Sequence, residues 1–315
     1  MKLRRRAVLA AALACGGVAR AQPLPYRIVC VSPPGGAPDI VARAYAQQLG
    51  PATLVDDRPG AGGLIAVGAL QHAHADGTTL LLGHSGLVTT NPFVYRRLPY
   101  DPDGDLLPVS LAAELTIGLA VGPSIPPEVR SVGDLVAWAR ARRGGISYGT
   151  PGVATLPHLL GAAFAHDAGF DGRHVPYSGS PPAIAELAGG LLDAVVLPEG
   201  LLRPFHLAGR LRLLAIFDRQ RSTELPAVPT IAESGFELPT GREWFAFFAP
   251  RGTPRGRADD AAQALNVALA PAVVAVLAEA GLRAVTSTSA QLAERVVHER
   301  LGWRDLVAAS GIRLP

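Results

Sequence analysis

The feature that most constrains the fold is a unit that recurs along the chain. A short apolar run ends in a turn of glycine and proline, and a helix-like pattern follows. "PPGGAPD" (33–39) comes after Ile28-Val29-Cys30-Val31 and before 39–49, where Ile40, Val41, Ala44, Ala46 and Leu49 are apolar at helical spacing. "DDRPGAGG" (56–63) comes after Thr53-Leu54-Val55 and before a helical stretch at 64–74. "GTPGVATLPH" (149–158) comes after Ile146-Ser147-Tyr148 and before 159–168. Runs this short suit strands, and strands alternating with helices argue for an α/β chain with a parallel sheet and crossover helices.

The same reading predicts further strands at 78–82, 115–121, 174–177, 194–197, 211–217 and 244–249. It predicts a helix at 134–142 and a short one within 178–190, and it takes 91–108, rich in Pro and Asp, as loop. Helices at 257–280 and 290–309 close the chain, with Ser289 placed to cap the last one and Gly311 to end it. These late helices have no strands of their own. They are best spent on a sheet made earlier, which implies a domain built from two separated segments. A chain of 315 residues has room for two domains.

The first 22 residues read as a secretory leader. Lys2, Arg4, Arg5 and Arg6 precede a small apolar stretch at 7–18, and Ala19-Arg20-Ala21 is an A-x-A cleavage signal. The apolar run is too short to span a bilayer. Arg5-Arg6-Ala7-Val8-Leu9 also approaches a twin-arginine signal, while Ala12-Leu13-Ala14 before Cys15 is a poor lipobox. Residues 1–21 hold five of the 29 Lys and Arg and none of the 26 Asp and Glu, so the remainder carries 24 basic against 26 acidic residues. The basic balance belongs to the leader, and a nucleic-acid footprint is not supported. Only Cys30 remains beyond the leader, so no internal disulfide forms.

Glycine-rich turns at the carboxyl ends of strands are where open α/β sheets bind ligands, and the helix starts there favour anions. Gly35 and Gly36 would let a ligand reach the backbone, and Pro38 suits a first helical turn. Asp39 either orients the loop through its amides or meets a ligand ammonium. In the third loop Thr155 caps a helix and His158 is a buried, satisfied imidazole, or both join Thr150 in holding a ligand. Enzymatic patterns fail on spacing. "GHSGL" (83–87) lacks the second glycine of a nucleophile elbow, and "GAGGLIAVG" (60–68) has Ile65 where a dinucleotide fingerprint needs glycine. "DPDGD" (101–105) misplaces its glycine for a calcium loop, and His72 and His74 do not share a helix face. Lys2 is the only lysine, so lysine chemistry is excluded once the leader is gone.

"PPGGAPDIVAR", "DDRPGAGG", "ADGTTLLLGHSG", "LPYDP", "GTPGVATLPHLLG", "VPYSGSPPAIAEL", "LPAVPTIAESG" and "FAPRGTP" occur in this order. Together they resemble the extracytoplasmic solute receptors of tripartite tricarboxylate transporters, the Bug or TctC-like receptors, over essentially the whole chain beyond the leader. The resemblance implies a two-lobed periplasmic-binding-protein fold, type II-like, with two crossing strands and a ligand cleft between lobes. Lobe one would take 23–120 and 248–315, and lobe two 121–247. It implies a periplasmic monomer, cleaved after Ala21, that captures a small organic carboxylate and delivers it to membrane permease subunits without catalysis, cofactor or metal. A ligand sensor feeding a signalling partner, or a periplasmic hydrolase or isomerase, are the alternatives.

The implied ligand contacts are Gly35, Gly36 and Ala37, with Asp39 shaping the loop, and His84 and Ser85 in a second turn. Lobe two would add Thr150, Gly152, Val153, Ala154, Thr155, His158 and Tyr177, with ordered water bridging to it. Four positions depart from the usual pattern: Ser32 for Phe, Ala154 for Gly, Glu186 for Asp and Thr78 for Tyr.

Overall fold

The computed structural model describes residues 25–238 and 242–315. The leader and its cleavage signal lie outside the described residues. The chain opens β1 (Arg27–Cys30), α1 (Ala37–Leu49), β2 (Leu54–Asp57), α2 (Leu64–Gln71), β3 (Thr79–His84). Two short helical turns, α3 (Gly86–Thr89) and α4 (Asn91–Val94), lead to β4 (Leu106–Leu115). A second series follows: β5 (Ile117–Val121), α5 (Val132–Ala141), β6 (Ile146–Thr150), α6 (Leu156–Asp167), β7 (Gly172–Pro176), α7 (Ser180–Ala188), β8 (Ala194–Pro198), α8 (Glu199–Leu207) and β9 (Arg212–Ile216). The chain then returns through β10 (Glu243–Pro250), α9 (Arg255–Ala268), α10 (Pro271–Glu279), β11 (Leu282–Ala284) and α11 (Ser289–Ser310).

The strands form two sheets, ordered β11-β4-β10-β3-β1-β2 and β7-β6-β8-β5-β9. Both are mixed. β1 is parallel to β2 and β3, whereas β10 runs antiparallel between β3 and β4. In the second sheet β6 is parallel to β7 and β8, and β5 is antiparallel to β8 and β9. The crossover units of the sequence reading therefore supply the parallel pairs, and strands arriving from the other half complete each sheet against them.

Membership changes from the first sheet to the second at Thr116, between β4 and β5, and back between β9 and β10. β5 from Ile117 and β10 from Glu243 thus each begin a few residues ahead of the limits expected at 120/121 and 247/248. The late helices cover the first sheet as expected: α9 and α11 pack on β4, and α9 and α10 on α1. In addition, α11 reaches α6 beside the second sheet, so one continuous apolar core runs through both halves.

Several local expectations are corrected. Residues 106–115 form a ten-residue strand rather than a loop followed by a strand from 115, because Val109 to Leu115 are buried between β10 and β11 despite Pro108. The stretch 257–280 is two helices, broken where Leu269 leaves helical geometry (ψ 58) ahead of Pro271. A short strand, β11, sits among the late helices. Thr288, not Ser289, caps α11: its side chain accepts from Gln291 N–H while Gln291 answers its own N–H. The Ser289 hydroxyl donates to the Pro108 carbonyl instead. Gly311 ends α11 in the left-handed conformation, as expected.

Candidate functional site

The carboxyl ends of β1, β3, β6 and β8 face one another across a cavity. It encloses roughly 540 Å³ of unfilled space, open mouth included. Its wall is built from helix starts. Ala37 and Pro38 come from the first turn of α1, Gly63 precedes α2, Thr155 and Pro157 open α6, Gly179 and Ser180 open α7, and Pro198 precedes α8. First-turn N–H groups have no partner within their own helix, and each helix start carries partial positive charge. No Arg or Lys lines the cavity among the described residues. The positive character of this wall thus comes from backbone alone, which suits a small anion.

The first loop holds its shape from within. Asp39 is 3% exposed and accepts the Gly35 N–H at 2.8 Å, while its other oxygen lies 2.6 Å from Arg43 Nε. Arg43 in turn bridges to Asp57 at 2.8 Å. The Gly36 N–H donates to the Pro33 carbonyl. The amides of Gly35 and Gly36 are therefore turned to the loop itself, which corrects the reason expected for these glycines. Gly35 is needed for its left-handed backbone (φ 79), and it borders a separate groove with Pro181 rather than the cavity. Gly36 is bare because a Cβ there would fall 1.9 Å from Ser32 Oγ. Of this loop, Ser32, Ala37 and Pro38 line the cavity.

The second glycine-rich turn, 60–63, was legible as one of three binding loops, but none of its residues was named among the ligand contacts. Gly60, Ala61, Gly62 and Gly63 all have positive φ (120, 48, 62 and 95), and the three glycines line the cavity. His84 lines it too. The Gly62 carbonyl can only accept, so His84 Nε2–H donates to it at 3.0 Å and leaves Nδ1 buried without a partner. Burial holds the ring neutral, with its pKa lowered to about 4. Ser85 is buried, and its N–H donates to the Trp244 carbonyl.

The third loop is also self-bonded. Thr150 and Thr155 hydroxyls both donate to the Gly152 carbonyl, at 3.1 and 2.8 Å. Thr155 sits at the start of α6 but does not cap it through its side chain, contrary to expectation. Ala154 N–H donates to His158 Nδ1 at 3.2 Å, and the His158 ring stacks on His174 with centroids 3.7 Å apart. His174 Nε2 lies 2.7 Å from Thr150 Oγ1. Burial lowers His158 to about 3, with His174 adding to the effect, and burial lowers His174 to about 4. His174 is the member of this group that the sequence reading missed. Ala154 occupies a left-handed position (φ 61), which accounts for glycine being the usual residue. Tyr177 is not among the residues lining the cavity and donates to Glu186.

The halves meet at this edge. A Cβ on Gly62 would fall 2.3 Å from the Val153 carbonyl oxygen, and one on Gly179 2.5 Å from Pro33 Cδ. Gly152 packs on the Gly62 backbone. Across the floor, β10 contributes Glu243 and Phe245 from one strand face. Neither residue was anticipated as a site residue. Strand periodicity pairs their faces, but only the sheet order turns that face to the cavity.

A family model for the receptor of the tripartite tricarboxylate transporter family matches residues 39–312. The chain belongs to this receptor family. Among curated relatives, a "UPF0065 protein in tcbD-tcbE intergenic region" of Pseudomonas sp. strain P51 is 36% identical over 90% of this chain and 85% of its own length. Protein BugT of Bordetella pertussis is 33% identical over 92% of this chain and 90% of its own. Among solved structures, R. palustris Rpa4515 with adipate superposes with TM-score 0.86 at 30% identity, covering 92% of this chain and 98% of that one. MatC from Rhodopseudomonas palustris with bound malate gives TM-score 0.81 at 25% identity, covering 90% of this chain and 99% of that one. As a receptor of this family, the chain has the two-sheet α/β architecture of the periplasmic solute-binding proteins.

Proposed function

We propose that this receptor captures a small organic carboxylate in the cavity between its two lobes and delivers it to the membrane permease subunits of a tripartite tricarboxylate-type transporter. The lobes are taken as 23–120 with 248–315, and 121–247. The observation that carries this reading is the convergence of helix starts on a cavity without a cationic side chain. A carboxylate there would accept the N–H donors that proline leaves in the first turns of α1 and α6 and the Ser180 N–H of α7, whose Pro181 and Pro182 have none, and the glycine-rich turn 60–63 would close over it. The adipate and malate held by its structural relatives fit the same chemistry. The internal bonds of Asp39, Thr150, Thr155 and His158 keep the donors in place before the ligand arrives, which limits the ordering cost of binding. In this reading the ligand is bound and released unchanged.

The basic, apolar and A-x-A segments of residues 1–21 direct export to the periplasm, where the mature protein works as a monomer. Titration calorimetry of the purified protein against mono-, di- and aromatic carboxylates, adipate and malate included, tests the reading. Micromolar or tighter binding of at least one is the expected result. A protein that binds none of the panel, or that hydrolyses an ester analogue in the same cavity, overturns it. Amino-terminal sequencing of the periplasmic product should begin at Gln22.

A further inference from the structure

One residue of the cavity is out of keeping with the rest. Glu243 is 4% exposed, lines the cavity from the first position of β10, and is the only acidic residue among the described lining residues. Its carboxyl has no hydrogen-bond or ion-pair partner among the described residues. The neighbouring Arg242 is bonded to Asp218 at 3.0 Å. Trp244 points to the opposite face and donates to Glu299 at 2.6 Å. Glu114 sits opposite Trp244 in the register and is held by Arg283 and Arg295. Opposite Glu243 itself is Leu115, an apolar neighbour. A buried carboxyl without a partner costs stability, and a ligand group of opposite charge meeting it would offset that cost.

We propose that Glu243 forms a subsite for a protonated amine, so that the preferred ligand is a zwitterion with its carboxylate on the helix starts and its ammonium on Glu243. This deepens the carboxylate reading and rests on it. The cavity then has two electrostatic ends, a positive one made of backbone N–H groups and a negative one made of one side chain. A plain dicarboxylate would find no Arg or Lys among the described lining residues to receive its second carboxylate.

The subsite leaves a proton signature. With no cation beside it, burial pushes the Glu243 carboxyl up to about 8, so it is protonated in the empty cavity at neutral pH. An arriving ammonium favours the ionised form, and the carboxyl gives its proton to the buffer. The other groups near this space do not mask the signal. His84 titrates near 4, and Glu199, just beyond Pro198 and raised by burial, has Arg203 as its counter-charge.

The test is calorimetry at pH 7 with matched probes: L-aspartate against succinate, L-glutamate against glutarate, and γ-aminobutyrate against butyrate. Each pair is run in two buffers of different ionisation enthalpy. In at least one pair the amine-bearing member should bind about tenfold tighter or more and release close to one proton. Glu243→Gln should erase both the preference and the release, and Glu243→Ala serves as a second variant. If carboxylates bind but the des-amino members bind equally well or better without proton release, the amine subsite is wrong and the carboxylate reading stands. The same holds if the variants keep the preference. If no probe binds and the wider carboxylate panel also fails, both fall together.

Discussion

At the scale of the residue, the cavity is shaped by side chains that never touch its contents. Asp39 is the clearest case. It ties the Gly35 amide and Arg43 together, and through Arg43 it reaches Asp57. Asp57 is raised, first by its own burial and then by the charge of Asp39. Asp39→Ala should therefore free a loop amide and leave Arg43 to Asp57 alone. We expect a loss of about 1–3 kcal/mol in urea unfolding and a tenfold or greater loss of carboxylate affinity by calorimetry. Unchanged affinity would show that the loop keeps its shape without this cap. The sequence reading placed Asp39 between loop-holding and ligand contact, and the 2.8 Å bond to Gly35 fits the first role. It misjudged the glycines beside it, because a bare Cα looks the same in sequence whether a ligand or Ser32 occupies the space.

At the scale of the element, α11 decides how the carboxyl-terminal segment attaches. Glu114 on β4 receives Arg283 from β11 and Arg295 from α11, and Arg295 also pairs with Glu299, which bonds Trp244 of β10. Burial alone would raise the Glu114 carboxyl, but the bonds from Arg295 and Arg283 hold it below the usual range. Removing the acid leaves Arg283 without its partner and Arg295 with Glu299 alone. Glu114→Ala should cost about 2 kcal/mol, less than a fully buried pair because both arginines keep some access to water. Thermal unfolding measures the loss, and proteolysis at the start of α11 should rise with it. A variant as stable as the parent would mean that apolar packing alone seats the helix. The capping shift from Ser289 to Thr288 belongs at this scale too. Both residues can cap, and Gln291 is three residues on from Thr288 only.

At the scale of the whole molecule, the two halves touch through backbone. Gly62 against Val153 leaves no room for a methyl group, and its φ of 62 disfavours any side chain. Gly62→Ala should hold the halves apart, weaken ligand binding about tenfold or more, and enlarge the ligand-bound particle in small-angle scattering. Equal affinity and equal dimensions would place the closing contact elsewhere. The histidines set an acid limit. His84, His158 and His174 are all lowered by burial, so they favour the fold above the ordinary imidazole range near 6.5. That contribution is lost as pH falls towards their folded values of about 3 to 4. The melting temperature should drop between pH 6.5 and 4, and His174→Phe should shrink the drop. Glu243, being raised, acts in the opposite sense and removes stability as pH rises through about 8.

The sequence by itself determined the class of fold, the strand–turn–helix units, the helix starts that define the cavity and the family. The first three rest on local chemistry: short apolar runs, glycine and proline in turns, and proline in first helical turns; the family rests on the resemblance carried by eight motifs in their order. It also determined that 60–63 is a turn of glycines. Only the tertiary structure decided which groups face the cavity. Glu243 and Phe245 lie more than 150 residues from His84, and they meet it because β10 returns to pair with β3 in register, Phe245 opposite His84. Periodicity says that Glu243 shares a face with Phe245. Which way that face turns is a property of the sheet order, and sheet order is settled by long-range pairing that no local pattern encodes.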